Sequence, residues 1–216
     1  MKILLVTLLH PLPTNAARGT FVADHAQLLR EMGHDVRIIN PLPRLLKYME
    51  QSRSTLTGVS RAPRKFEHNG FDIFAPRYVA YTDHPYPWLT SRSIRNRQRS
   101  VEKWLGGWRP EHIIAHTLWP VGELARSLAK RWKVPWTGVV HGHDVDVGLT
   151  HSTTGKRIRS LMESADSMVF VSDRLRTTTQ DHGIQIKKAY TIACLLYTSD
   201  AADDTPCVDL GGRRII

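Results

Sequence analysis

The chain has 216 residues, with 30 Lys and Arg against 20 Asp and Glu for a net charge of +10, 41% hydrophobic residues and two cysteines. Such a length supports one well-buried domain and is short for two; two cysteines exclude a disulfide framework, and no apolar run approaches the roughly 20 residues of a membrane-spanning helix. The basic excess favours an anionic partner, whether a phosphorylated ligand, an acidic membrane surface or nucleic acid, without choosing among them.

Apolar strands alternate with helical periodicity, the pattern of βαβ units on a parallel sheet. Residues 2–7 read as the first strand. The apolar run continues to Leu9, at the short limit for a signal peptide, and meets His10-Pro11 without a small-residue cleavage site. Residues 21–32 are predicted helical, with Phe21, Val22, Ala26, Leu28 and Leu29 on the apolar surface and Gly33 just beyond the C-cap. Residues 36–39 form the second strand, stopped by Asn40-Pro41.

Residues 42–69 are weakly patterned and basic, with Arg44, Lys47, Arg53, Arg61, Arg64 and Lys65, and are expected to be a mobile insertion holding one or two helical turns. A strand at 71–74 leads into an aromatic and proline-rich stretch, 78–88. Residues 91–105 are predicted as one helix carrying Arg92, Arg95, Arg97, Arg99 and Lys103, with Ile94, Val101, Trp104 and Leu105 as its apolar contacts. Then come a strand at 112–115 ending at His116, a helix at 121–132, a strand at 134–140, a helix at 156–164, a strand at 167–171 and a last helix capped by Ser172.

From Cys194 onward the chain changes character. The run Cys194-Leu195-Leu196-Tyr197-Thr198-Ser199-Asp200-Ala201-Ala202-Asp203-Asp204 and the closing Val208-Asp209-Leu210-Gly211-Gly212-Arg213-Arg214-Ile215-Ile216 resemble the in-frame translation of a transposon-type sequencing adapter. The expectation is a natural domain over residues 1–193, cut at about Ala193, and a non-native, disordered tail over 194–216 that is left out of fold reasoning. Both cysteines, Cys194 and Cys207, fall in that tail. Setting aside its four Asp and two Arg leaves 28 basic and 16 acidic residues, a net charge of +12.

The most informative run is His141-Gly142-His143-Asp144, directly after the apolar stretch that ends at Val140. A buried strand ending in glycine and ionisable groups delivers those groups to the carboxyl edge of a parallel sheet, where open α/β folds bind ligands. His116 ends a strand in the same way, and the residues leave open whether it faces a ligand or bonds local backbone. His143 and Asp144 read equally well as a loop-stabilising pair. Gly19 lies in the loop between the first strand and first helix, where a missing Cβ and a helix N-terminus admit a phosphate; a plain turn with Thr20 as N-cap explains the same residues. Gly33-His34-Asp35-Val36 is ordinary helix-to-strand loop chemistry and is assigned no catalytic role.

The series Ala17-Arg18-Gly19-Thr20-Phe21-Val22, Gly33-His34-Asp35-Val36, Ala115-His116-Thr117-Leu118-Trp119-Pro120-Val121-Gly122, His141-Gly142-His143-Asp144-Val145 and Val169-Phe170-Val171-Ser172-Asp173 resembles the amino-terminal domain of glycosyltransferase family 4. That resemblance implies an α/β fold: a Rossmann-like parallel sheet with helices on both faces, the N-terminal, acceptor-side half of a GT-B architecture. It implies a retaining enzyme that moves a sugar from a nucleotide-sugar donor to the hydroxyl of a saccharide or lipid-linked acceptor, in surface polysaccharide or glycolipid synthesis. It further implies no metal and no cofactor beyond the donor substrate, and a cytoplasmic protein peripheral at the inner membrane face. By the same resemblance, His141 and His116 are the candidate catalytic residues beside the transferred sugar, and Gly19, Thr20 and Gly142 the candidate donor-binding residues. Arg18 stands where many relatives carry a further glycine. The family's diphosphate-binding groups belong mostly to the carboxy-terminal domain, so the chain alone is expected to lack turnover.

Two other classes compete. A metal-dependent hydrolase could use His141, His143, Asp144 and His116 as ligands, although position 145 is Val and the phosphate-approach loop goes unexplained. A basic nucleic-acid-binding module rests on net charge alone, and no nucleic-acid partner is expected. The stretch Arg92 to Lys103 could face anionic lipid or be a solvated helix face.

Overall fold

A computed structural model of the protein describes residues 1–52, 54–80 and 86–192. In chain order the elements are β1 (Lys2–Thr7), α1 (Thr20–Glu31), β2 (Asp35–Ile39), β3 (Leu42–Pro43), β4 (Lys65–His68), β5 (Phe71–Phe74), β6 (Arg77–Tyr78), α2 (Pro87–Arg95) and α3 (Gln98–Leu105). They continue with β7 (His112–His116), α4 (Val121–Trp132), β8 (Trp136–Val140), α5 (Gly155–Ser164), β9 (Ser167–Phe170), α6 (Asp173–Asp181) and β10 (Ala189–Thr191).

Eight strands form one sheet in the order β10-β9-β8-β7-β1-β2-β5-β4, parallel throughout except for the β4–β5 pair. The chain leaves β1 toward β2 on one side and returns to β7 on the other, so the strand order reverses beside β1, the place where open α/β sheets carry a ligand crevice. Register puts Thr7 of β1 opposite His116 of β7, and His116 opposite Val139 of β8. Three strand ends therefore lie side by side.

Side chains of each central strand alternate between two cores. Leu4 and Val6 of β1, with Ile113 and Ala115 of β7, face Leu124, Ala125 and Leu128 of α4 and Val101 and Leu105 of α3. Leu5 of β1 and Ile38 of β2 point the other way, onto Ala26 and Leu29 of α1. Helices thus cover both faces, as the Rossmann-like expectation requires. One buried carboxylate ties the α4 side together: Glu123 accepts hydrogen bonds from Ser91 of α2, Arg126 of its own helix and Arg157 of α5.

The local signals of helix ends hold. Gly33 takes φ 84° just past the end of α1, and Ser172 Oγ accepts the Leu175 amide at 3.4 Å as N-cap of α6. Residues 42–69 are a correction: the expected mobile insertion is packed, with Leu42, Val59 and Ala62 closing a small core with Leu12 and Ala75. Glu50 is buried there and accepts the Gly58 amide at 3.0 Å and that of Ser60. This segment also contributes β3, two short 3-10 turns at 47–52 and 54–56, and the edge strand β4. The single helix expected over 91–105 is two, α2 beginning at Pro87 and α3 at Gln98. The strand β10 went unpredicted, and the adapter-like stretch 194–216 lies outside the described residues.

Candidate functional site

Three imidazoles meet at the carboxyl edge. His116, the last residue of β7, is buried; its Nδ1 is 2.9 Å from Nε2 of His141, just beyond β8, and its Nε2 is 2.8 Å from Nδ1 of His25 on α1. The His116 and His141 rings lie 18° from parallel with centroids 5.2 Å apart, and Phe21, one turn before His25 on α1, packs its ring 4.8 Å from that of His141. The two histidines singled out from sequence are therefore in contact. His25 was missed, although Phe21 and His25 sit four apart on one helix face pointing at the sheet edge, a spacing that carries the signal.

Burial sets the charge of this trio. His116 is held well below its ordinary value of 6.5 by desolvation, then by the neighbouring His141 and His25. His141 is pushed down to about 4 by burial and by His25, and burial also lowers His25. All three are neutral at pH 7, so each ring carries one N–H and one bare nitrogen. A neutral imidazole at the rim can give or accept a hydrogen bond to a sugar hydroxyl and brings no charge to a phosphate.

The loops that present these rings are braced from both sides. After His116 the chain passes through Thr117 at φ 65°, a left-handed conformation that costs a residue with a Cβ about 1–2 kcal/mol. The Asp144 carboxylate, fully buried, holds that turn by accepting the amides of Leu118 at 3.0 Å and Trp119 at 3.3 Å. Burial raises the Asp144 carboxyl from 3.8 to about 6, against the pull of those two amides. Beyond it, Asp146 receives both guanidinium nitrogens of Arg174 on α6, at 2.8 and 2.9 Å. Gly142, between His141 and this bracing, has φ 96°.

Asp144 is thus a loop brace reaching back to the segment after β7, and His143 is exposed. No group of three or more His, Cys, Asp or Glu among the described residues is arranged to hold a metal ion. Both Asp144 oxygens are occupied by amides, so the ligand set imagined for a hydrolase is not assembled.

Gly19 is the N-cap of α1 at φ 63°, and Thr20 is the exposed first residue of the helix rather than its cap. A Cβ on Gly19 would stand 2.5 Å from the Leu9 carbonyl carbon and 2.7 Å from the His10 nitrogen. The chain's own backbone fills the space that glycine leaves. Arg18 explains why the loop keeps this shape: its buried guanidinium donates to the carbonyls of Leu8, His10 and Thr55 and to Asn40 Oδ1. Asn40 in turn donates to the carbonyls of Thr7 and Leu8 at 2.8 Å. Desolvation lowers Arg18 to about 10, still charged at neutral pH, yet every one of these bonds points inward. In the helix-to-strand loop, Asp35 accepts the Trp108 indole N–H at 2.7 Å, the structural role that the sequence suggested.

Residues 18–194 match the glycosyl transferase 4-like domain. The putative teichuronic acid biosynthesis glycosyltransferase TuaC of Bacillus subtilis is 25% identical over 184 residues, 82% of this chain and 45% of that protein. Among solved structures, sucrose-phosphate synthase from Thermosynechococcus elongatus superposes with a TM-score of 0.62 at 12% identity, over 90% of this chain and 48% of that one. Arabidopsis thaliana UGT89C1 complexed with UDP-L-rhamnose gives 0.52 at 11% identity, over 95% and 55%. Methanocaldococcus jannaschii UDP-GlcNAc 2-epimerase in complex with UDP-GlcNAc and UDP gives 0.52 at 11% identity, over 89% and 46%. The chain spans about half the length of these proteins, and the structural likeness is one of fold, a Rossmann-like half of the GT-B architecture. By its match over most of its length, the chain belongs to the glycosyl transferase 4-like family.

Proposed function

We propose that this chain is the acceptor-side half of a retaining glycosyltransferase that moves a sugar from a nucleotide-sugar donor to a hydroxyl of a saccharide or lipid-linked acceptor, in surface polysaccharide or glycolipid synthesis. The observation that carries the reading is the contact of His116 and His141 at the switch point of the sheet, in a chain of this family. His141 sits where a neutral donor or acceptor would orient a sugar hydroxyl, with Phe21 excluding water from one side. The relatives support the donor class: UGT89C1 and the epimerase were solved with UDP-sugars, and TuaC is named for teichuronic acid synthesis. Gly142 offers its backbone beside His141, whereas Gly19 and Thr20 contribute through the shape of the first loop.

Histidine-detected NMR titration with UDP-glucose, GDP-mannose and inorganic phosphate tests this. Saturable shifts at His141 and His116 with a sugar nucleotide are expected, with those at His116 weakened in His141→Ala; shifts equal to those from phosphate alone would refute the assignment.

A peripheral position at an anionic cytoplasmic membrane face has its own support. Exposed Trp88, Arg92 and Arg95 recur at i, i+4 and i+7 on α2, next to exposed Tyr86. Val79, Leu89, Arg92, Ser93, Asn96 and Arg97 line a shallow cavity of about 220 Å³ beside them, suited to a phosphorylated headgroup. No helix among the described residues is long and apolar enough to cross a membrane. Co-sedimentation with phosphatidylglycerol vesicles, weakened in Trp88→Ala and by salt, is the expected result; equal binding to neutral vesicles would remove the electrostatic part.

A further inference from the structure

The chain of three imidazoles has a property that neither His116 nor His141 has alone. His25 reaches His116 at 2.8 Å and His116 reaches His141 at 2.9 Å, in each case nitrogen to nitrogen. At such a separation one nitrogen must carry the hydrogen and the other must be bare. Two hydrogens, or two lone pairs, facing each other across that gap repel. Three neutral rings hold three N–H groups; two close the links, and the third is left at one end.

Only two arrangements satisfy both links. Either His25 Nδ1–H donates to His116 Nε2 and His116 Nδ1–H donates to His141 Nε2, leaving His141 Nδ1 as a donor. Or the sense is reversed, His141 Nε2–H to His116 Nδ1 and His116 Nε2–H to His25 Nδ1, leaving His141 Nδ1 bare. The first makes all three rings Nδ1–H tautomers; the second makes all three Nε2–H.

We infer that His25 is a positioning residue for this site: acting through His116, it ties its own tautomer to that of His141, so that His141 Nδ1 is a donor when His25 Nδ1 donates and an acceptor when His25 Nδ1 accepts. The rings come from three elements, α1, β7 and the end of β8, so the two links also fix α1 against the strand ends. His116 is buried between its two partners. The consequence for sugar binding rests on the glycosyltransferase reading; the shared tautomer does not.

Proton-coupled ¹⁵N spectra of histidine-labelled, ligand-free protein at about pH 7.5 read the tautomers directly. The same nitrogen should be protonated in His25, His116 and His141. His25→Phe removes the partner of His116 Nε2 and should shift the tautomer ratio of His116 and His141, which still match each other. His25→Asn, whose amide reaches the Nδ1 position and offers either a donor or an acceptor, should bring the ratio back toward that of the wild type. Different tautomers within the wild-type trio, or an unchanged ratio in folded His25→Phe, would overturn the inference, and the wild-type measurement stands even if His25→Phe does not fold. With UDP-glucose as probe, each halving of the competent tautomer raises the apparent Kd about twofold in His25→Phe, with recovery in His25→Asn. A shared tautomer in wild-type protein that does not bind UDP-glucose would confirm the coupling and overturn its role in sugar recognition.

Discussion

Acidification from about pH 7.5 to about pH 5 should destabilise this protein, and the buried histidines give the size of the effect. His10 is fully buried, donates through Nδ1 to the Pro11 carbonyl at 3.0 Å, meets His68 edge to face and has its own carbonyl bonded by Arg18; burial pushes it down to about 4. His141 is also at about 4. A group with a folded pKa below its unfolded value of 6.5 stabilises the fold above 6.5. That stability is lost as pH falls toward 4, because the unfolded chain takes up the proton first. Each of these two histidines then withdraws about 2 kcal/mol by pH 5 and about 3 kcal/mol by pH 4. Asp144 works in the opposite sense: its carboxyl, raised to about 6, is ionised at a penalty at neutral pH, and relief of that penalty returns about 1 kcal/mol by pH 5. These three groups leave a net loss of about 3 kcal/mol at pH 5, to which His25 and His116 add, out of a total stability of about 5–15 kcal/mol. Urea midpoints by circular dichroism at three pH values measure it. His10→Asn, which keeps a donor for the Pro11 carbonyl and cannot titrate, should lose about 2 kcal/mol less over the same interval. A midpoint that stays constant or rises on acidification, or an unchanged slope in His10→Asn, would refute the argument.

Gly19→Ala should destabilise by about 2–4 kcal/mol, combining the left-handed backbone with a Cβ driven into the Leu9 carbonyl carbon, and chemical unfolding reads it directly. Were the glycine needed only for a ligand's approach, stability would be unchanged and binding alone would suffer. Arg18→Met should cost about 3–5 kcal/mol, because it strands three carbonyls and Asn40 Oδ1 in a buried loop. A loss below about 1 kcal/mol would show that water replaces the guanidinium.

The elements that were legible in the sequence are those whose cause is local. β1, β7 and β8 are runs of buried apolar residues closed by polar ones, and Gly33 and Ser172 act within a few residues of where they stand. Residues 42–69 were opaque because their core is assembled from distant positions, Leu12 and Ala75, and because Glu50 finds its amides only after the chain has turned back. The break between α2 and α3 has no glycine or proline to announce it; Asn96 and Arg97 keep φ values of −63° and −79°, close to helical. In the site, His116 and His141 were found because they end strands. His25 was hidden because it lies mid-helix, 91 residues from its partner, where a histidine ordinarily faces solvent. Arg18 stood out only as a departure from the family's glycine, and the structure shows it organising the loop.

The charge distribution at the rim bears on what the isolated chain can do. A departing diphosphate needs fixed positive charge or amides directed at it in a desolvated site. Here the three imidazoles are neutral, Asp144 binds two amides of the rim, and Arg18 gives its bonds to inward-facing oxygens. On the glycosyltransferase reading proposed above, these groups orient a sugar and bring no positive charge to the leaving group. Under the proposed function, the 216-residue chain should bind a sugar nucleotide weakly and transfer no sugar. Incubation with radiolabelled UDP-glucose and saccharide or lipid-phosphate acceptors checks this. Turnover lost in His141→Ala would mean that charge compensation comes from this chain after all, and the neutral-rim argument would fail.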